Sequence, residues 1–250
     1  MSEVLHFVFV FFLIEGSLIA LVMFLSKKTD AICRAPALDL VVSILTWIPW
    51  ALAIRWSGGA GFLGCVIGQI AALETFIRTH PVLCGYNGPT IHTKIDKIAG
   101  HFNNHLGLYA TLPALPGFLM IRLTQIVVWP VLRWTMKFPK YQEGDWIAVS
   151  RQKFSGLVGH DLVWCLYCDW MTGLYSYGGE MLRNLESFWC PIRFDSAKKC
   201  DNCMSTFPDV KEWVPAGGTI EDVTALIEKK YPPNSPGSRS WYGHPSRKDK

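Results

Sequence analysis

Residues 4–25 read VLHFVFVFFLIEGSLIALVMFL, and Glu15 is the one residue among them with a formal charge. At ~1.5 Å per residue, about 22 residues reach across a bilayer core of ~30 Å. In lipid a backbone must satisfy its own N–H and C=O groups, so this run predicts a membrane-spanning helix. A secretory leader is not indicated. Glu3 stands before the apolar run, Lys27 and Lys28 come after it, and no small-residue cleavage motif follows. The segment reads as a retained anchor.

Working outward, residues 37–54 form a second apolar run, with Trp47, Trp50 and Trp56 placed where an interfacial belt would lie. Ser57-Gly58-Gly59 opens a third, residues 60–77, whose Gly61, Gly64, Gly68, Ala71 and Ala72 suit close helix packing. The fourth hydrophobic segment, 107–136, holds Pro113, Pro116, Gly117, Arg122 and Pro130. That composition predicts a broken, re-entrant or interfacial helical pair rather than one straight span. Glu15, Glu74 and Arg122 lie at membrane depth, where a charge needs a partner or a functional path, and Glu15 is the most central.

Lys27, Lys28 and Arg34 follow the first run, Arg55 alone marks the second turn, and Arg78, Lys94 and Lys97 follow the third. This distribution places the N-terminus outside and the C-terminal part in the cytoplasm. A multi-pass protein of a cell or organelle membrane is expected, with the lipid bilayer and other membrane subunits as partners. A net charge of +4 from dispersed basic residues gives no reason to expect nucleic acid.

Residues 137–231 carry a different composition, and 232–250 form a Pro-, Ser- and basic-rich tail that should be flexible. The expected fold is mainly α: a polytopic helical membrane domain over 1–136, then a small cysteine-rich α+β metal-binding domain. Within the latter, 141–149 read as a turn and short strand, 154–168 and 174–189 as two helices parted by 169–173, and 219–230 as a capped amphipathic helix.

Five of the eight cysteines fall in this domain. Cys165 and Cys168 form one CxxC pair, Cys200 and Cys203 another, and two such pairs are the ligand set of a tetrahedral S4 site, usually zinc. Cys190 is a fifth candidate and His160 a candidate substitute ligand. Thiolates also hold iron–sulfur clusters, which Trp164, Tyr167, Trp170 and Trp189 would shield from water. Cys33, Cys65 and Cys84 are scattered, and Cys65 suits apolar packing.

A weaker constellation lies between the apolar blocks: His80, His92, and His101 with His105 in HxxxH spacing, which puts two imidazoles on one helical face. That single box resembles the histidine boxes of membrane desaturases and hydroxylases, although no HxxHH accompanies it. The resemblance implies a histidine-held metal. No GxSxG, phosphate-cradling glycine loop or paired-carboxylate motif is present.

The leading expectation is therefore a non-catalytic accessory, assembly or docking subunit. Zinc would shape its cytoplasmic domain, and Trp164, Trp170, Trp189 and Trp213 would supply contacts. The alternatives are an iron–sulfur electron carrier and a histidine-metal membrane oxidoreductase acting on a lipid-like substrate.

Overall fold

The structure, a computed structural model, describes residues 2–196 and 212–241. In chain order its helices are α1 (Ser2–Ser26), α2 (Ala37–Leu45), α3 (Trp47–Leu83), α4 (Ile91–Ala99), α5 (His101–Tyr109), α6 (Leu115–Met136), α7 (Glu143–Trp146), α8 (Gly159–Trp189) and α9 (Ile220–Lys230). Among the described residues three helical stretches are long and apolar enough to cross a membrane: Glu3–Ser26, Ala37–Leu83 and His101–Met136. They are consistent with a membrane protein.

The second stretch doubles back on itself. Ser57 (φ −142°, ψ 21°) and Gly58 (φ 56°, ψ −136°) leave helical geometry inside α3, and the positive φ at Gly58 is one that a residue without Cβ adopts readily. Trp50 Nε1 donates to Gln69 Oε1 at 2.6 Å across 19 residues. A straight helix would hold those residues ~28 Å apart. The expected runs 37–54 and 60–77 are thus two antiparallel legs joined at the Ser57-Gly58 turn.

α1 lies along the second leg at backbone range. A Cβ on Gly64 would come within 2.6 Å of Phe7 Cβ and 2.8 Å of the Val4 carbonyl, and one on Gly68 within 2.7 Å of the Val8 carbonyl. The small residues read from the sequence are therefore the packing surface itself. Glu15 is buried in this bundle rather than turned to lipid. Its Oε2 lies 3.5 Å from Gln69 Nε2, which also donates to the Leu45 carbonyl at 3.1 Å.

The described chain forms two compact units, one of Met1–Leu115 with Glu143–Gly173, the other of Pro116–Gln142 with Leu174–Lys250. In the second, a polar knot holds the core. The buried Glu180 carboxylate accepts from Tyr141 Oη and Trp241 Nε1, both at 2.9 Å, and pairs with Arg183 at 2.6 Å. Asn184, fully buried, donates to Tyr141 Oη at 2.8 Å and accepts the Trp241 backbone N–H at 2.9 Å. Trp129 stacks on Phe138 and Tyr141. Arg122 is buried, where its guanidinium donates to Gln125 Oε1 at 3.3 Å. Thr219 caps α9 as expected, and Asp222 completes a capping box with it.

Three expectations need correction. No strand forms among the described residues, so the α+β character is not seen; extended segments pair only singly, Arg34 with Ala148 and Ile192 with Val214. Residues 143–146 instead form α7, where the Ile147 N–H bonds back to the Glu143 carbonyl. The helices expected at 154–168 and 174–189 are one, α8, of 31 residues. Gly173 does not end it: a Cβ there would meet the Trp146 carbonyl at 2.5 Å, so this glycine serves close packing. The segment 107–136 needs no such correction: it breaks at the short 3-10 turn Leu112–Ala114, after which α6 runs 22 residues unbroken. Pro116 sits in its first turn, where no helical N–H partner is needed, and Pro130 removes only the bond to the Ile126 carbonyl.

Candidate metal centre

The first turn of α8 points a carboxylate at the start of α4. Asp161 accepts the backbone N–H of Ile91 at 2.5 Å and of His92 at 3.0 Å, satisfying donors that a helix N-terminus leaves without intrahelical partners. The same carboxylate lies 3.0 Å from His92 Nδ1. Burial pushes the Asp161 carboxyl upward, but the neighbouring His160, the two backbone N–H groups and the His92 ring outweigh it and hold its pKa down to about 2. It is a carboxylate at any physiological pH.

His160 stands on the other side of that carboxylate. Its Nδ1 is 3.7 Å from Asp161 Oδ1, beyond hydrogen-bond range, and is buried with no hydrogen-bond partner. Its Nε2 is 3.1 Å from Trp164 Nε1. An indole N–H only donates, so Nε2 accepts and the neutral ring carries its proton on Nδ1.

A second group repeats the composition. Asp96 Oδ2 lies 2.8 Å from His101 Nδ1, its Oδ1 accepts Asn104 Nδ2 at 2.7 Å, and His105 Nδ1 is 3.9 Å from Oδ1. Hydrogen bonds from His101 and Asn104 hold this half-buried carboxyl below its ordinary value. The four rings form a chain, with centroids 4.2 Å apart for His101–His105, 5.1 Å for His105–His160 and 4.8 Å for His92–His160. They line one open pocket of about 510 Å³ together with Glu74, Arg78 and Tyr109. Tyr109 donates its hydroxyl to Glu74, whose carboxylate also pairs with Arg78 at 3.7 Å.

In each group, His92–His160–Asp161 and Asp96–His101–His105, the ligand atoms lie within 4.8 Å of one another. Bonds of ~2.0–2.2 Å from one ion span that distance after a small closing movement. Two imidazoles and one carboxylate leave coordination positions open, the arrangement of non-haem iron(II) sites.

The HxxxH pair thus sits where the sequence placed it, on one turn of α5, with His101 largely exposed. In the sequence His92 groups with His80, His101 and His105, and His160 stands apart as a substitute ligand for the cysteines; that the fold joins His92 to His160 is not visible there, nor are Asp96 and Asp161. The adjacent His160-Asp161 pair was the available signal.

Cys165 and Cys168 lie on α8, where burial pushes the Cys165 thiol up against the pull of Arg151. Cys168 Sγ is 4.0 Å from the Thr172 hydroxyl. Cys200 and Cys203 lie outside the described residues. Cys190 is exposed at the end of α8, and all six described cysteines are free thiols. Among the tryptophans expected to form a contact surface, Trp170 and Trp213 are buried, whereas Trp189 is half exposed. No family model, no curated protein and no solved structure matches this chain.

Proposed function

We propose that this protein is a metal-dependent membrane oxidoreductase acting on a lipid-like substrate, its ion held by His92, His160 and Asp161. One observation carries the reading: a buried aspartate flanked by two histidines, one of which buries a ring nitrogen with no hydrogen-bond partner. Buried polar groups are nearly always satisfied, so such an atom asks for a partner; an ion bound at Nδ1 would displace its proton, which the Trp164 hydrogen bond to Nε2 now holds there. Imidazole and carboxylate together suit iron, zinc, cobalt or manganese, and the open positions favour iron(II). Bound there, the ion would supply Lewis-acid or one-electron chemistry.

The chain's own residues have definable tasks. Asp161 fixes the His92 ring through Nδ1 while anchoring α4, so helix and ligand are positioned together. Glu74, Arg78 and Tyr109 give the pocket a polar wall for orienting a head group. The lipid-like substrate class is supported by the setting, since Glu74 and Arg78 belong to the stretch Ala37–Leu83 and Tyr109 to His101–Met136. In this reading the N-terminus is outside and the loops bearing α4 and the start of α8 are cytoplasmic.

The test is metal content by mass spectrometry on protein purified anaerobically in detergent, then reloaded with iron(II). His92→Ala with His160→Ala should abolish uptake, and Cys165→Ser with Cys168→Ser should leave it intact. The reverse pattern would sink the proposal and restore the cysteine site.

A further inference from the structure

In the first unit, α1 and the second leg of α3 leave a groove of about 660 Å³ between them, floored by Gly16, Ala20 and Ala72 and walled by Met23, Phe76 and Leu83. Its hydroxyls do not make it polar. Ser17 donates to the Leu13 carbonyl at 2.8 Å, Thr75 to Ala71 at 2.7 Å and Thr79 to Thr75 at 2.8 Å, so each hydrogen is spent on its own helix. The groove is an apolar trough along two membrane-length helices.

At one end it reaches Lys27, and Lys27 also lines a second, polar pocket of about 630 Å³ with Lys28, Asp30, Gln152 and Lys153. Asp30 is matched by Lys153, Nζ to Oδ1 2.7 Å. Lys27 and Lys28 therefore give this pocket a net positive charge. Lys28 Nζ sits 5.7 Å from the centroid of the Phe24 ring, which keeps it by the groove mouth.

We propose that these joined pockets bind one anionic phospholipid of the surrounding bilayer, an acyl chain in the trough and the phosphate between Lys27 and Lys28. An apolar trough facing lipid fills with a chain whatever its head group, so the chain confers occupancy and not selectivity. Selectivity comes from the lysines: at about 1 kcal/mol per basic residue near an anionic head group, two give roughly a 30-fold preference over a zwitterionic lipid. The site is independent of the metal centre and uses none of its residues.

The experiment uses the full chain, delipidated in neutral detergent, with lipid binding read by native mass spectrometry. Dioleoyl phosphatidylglycerol should bind about 30-fold tighter than dioleoyl phosphatidylcholine. Lys27→Gln with Lys28→Gln should bring the two within a few-fold of each other, and the double arginine variant should keep the preference. Gly16→Leu fills the trough, where a Cβ meets nothing within 4 Å, and should weaken both lipids about tenfold or more; Ala20→Leu repeats the test should that variant not fold. Equal binding of both lipids by the unmodified chain, or a preference surviving the glutamine variant, would overturn the proposal. So would full displacement by millimolar inorganic phosphate, which would mean an anion pocket with no use for the trough.

Discussion

Replacing Asp161 by Asn tests fold and site at once. The carboxylate accepts two backbone N–H groups at the start of α4 and faces His92 Nδ1 at 3.0 Å. An asparagine keeps one acceptor oxygen and turns an NH2 toward donors. At least one charge-assisted bond is lost, worth about 1.5–3 kcal/mol, and one buried N–H is left without a partner. A cost of about 3 kcal/mol follows, or a melting temperature some 6–12 °C lower at ~2–4 °C per kcal/mol for a chain of this size. Circular dichroism of ion-free protein in detergent measures it. Ion at a hundredfold excess over Kd should then stabilise the unmodified chain by about 2.7 kcal/mol and Asp161→Asn not at all. A variant that melts with the parent and keeps the ion-induced shift would show that Asp161 neither anchors α4 nor holds the ion.

Other consequences follow from the same contacts. Trp164→Phe removes the donor that holds the His160 proton on Nδ1, so iron(II) should bind ~5-fold tighter by calorimetric titration, one neutral hydrogen bond being worth about 1 kcal/mol; weaker binding would show that Trp164 supports the ion instead. Gly64→Leu drives a side chain into Phe7 and the Val4 carbonyl and should cost at least 1–3 kcal/mol in thermal unfolding. Gly107→Ala, with nothing within 4 Å of its Cβ, should be neutral or stabilising. Asn184→Ala leaves the Trp241 N–H without its acceptor and should lower stability by about 2–4 kcal/mol, read as loss of tryptophan fluorescence change on urea unfolding at a lower midpoint. A reporter fused after Lys250 should be active only in its cytoplasmic format; activity in the external format would reverse the orientation.

What the sequence made legible was local. The apolar run at 4–25 and the Ser57-Gly58 turn announce their structures from neighbours in the chain, and Gly64 and Gly68 announce where helices meet. Propensity misled where packing overrode it. Trp146 and Ile147 favour strands, but at this position Gly173 brings α8 against their backbone, and among the described residues the segment pairs only through the single Arg34–Ala148 bridge. Pro130 argued against a continuous helix, yet one missing donor in 22 residues is tolerated. The candidate site was half legible for the same reason. His101 and His105 share a turn of helix and declare themselves by spacing, whereas His92 and His160 meet only because α8 returns to α4. Asp96 and Asp161 are ordinary acidic residues until the fold places a histidine on either side of each. The two CxxC pairs are the more conspicuous pattern, and half of it, Cys200 and Cys203, lies outside the described residues.

The histidine–carboxylate centre is tested most directly by X-ray absorption at the metal edge of the loaded full chain in detergent. A shell of nitrogen and oxygen neighbours near 2.0–2.2 Å with the outer-shell signature of two imidazoles is expected, and its loss in His92→Ala, His160→Ala protein. A sulfur shell near 2.3 Å, unchanged in that variant, would contradict it and give the metal to the cysteines.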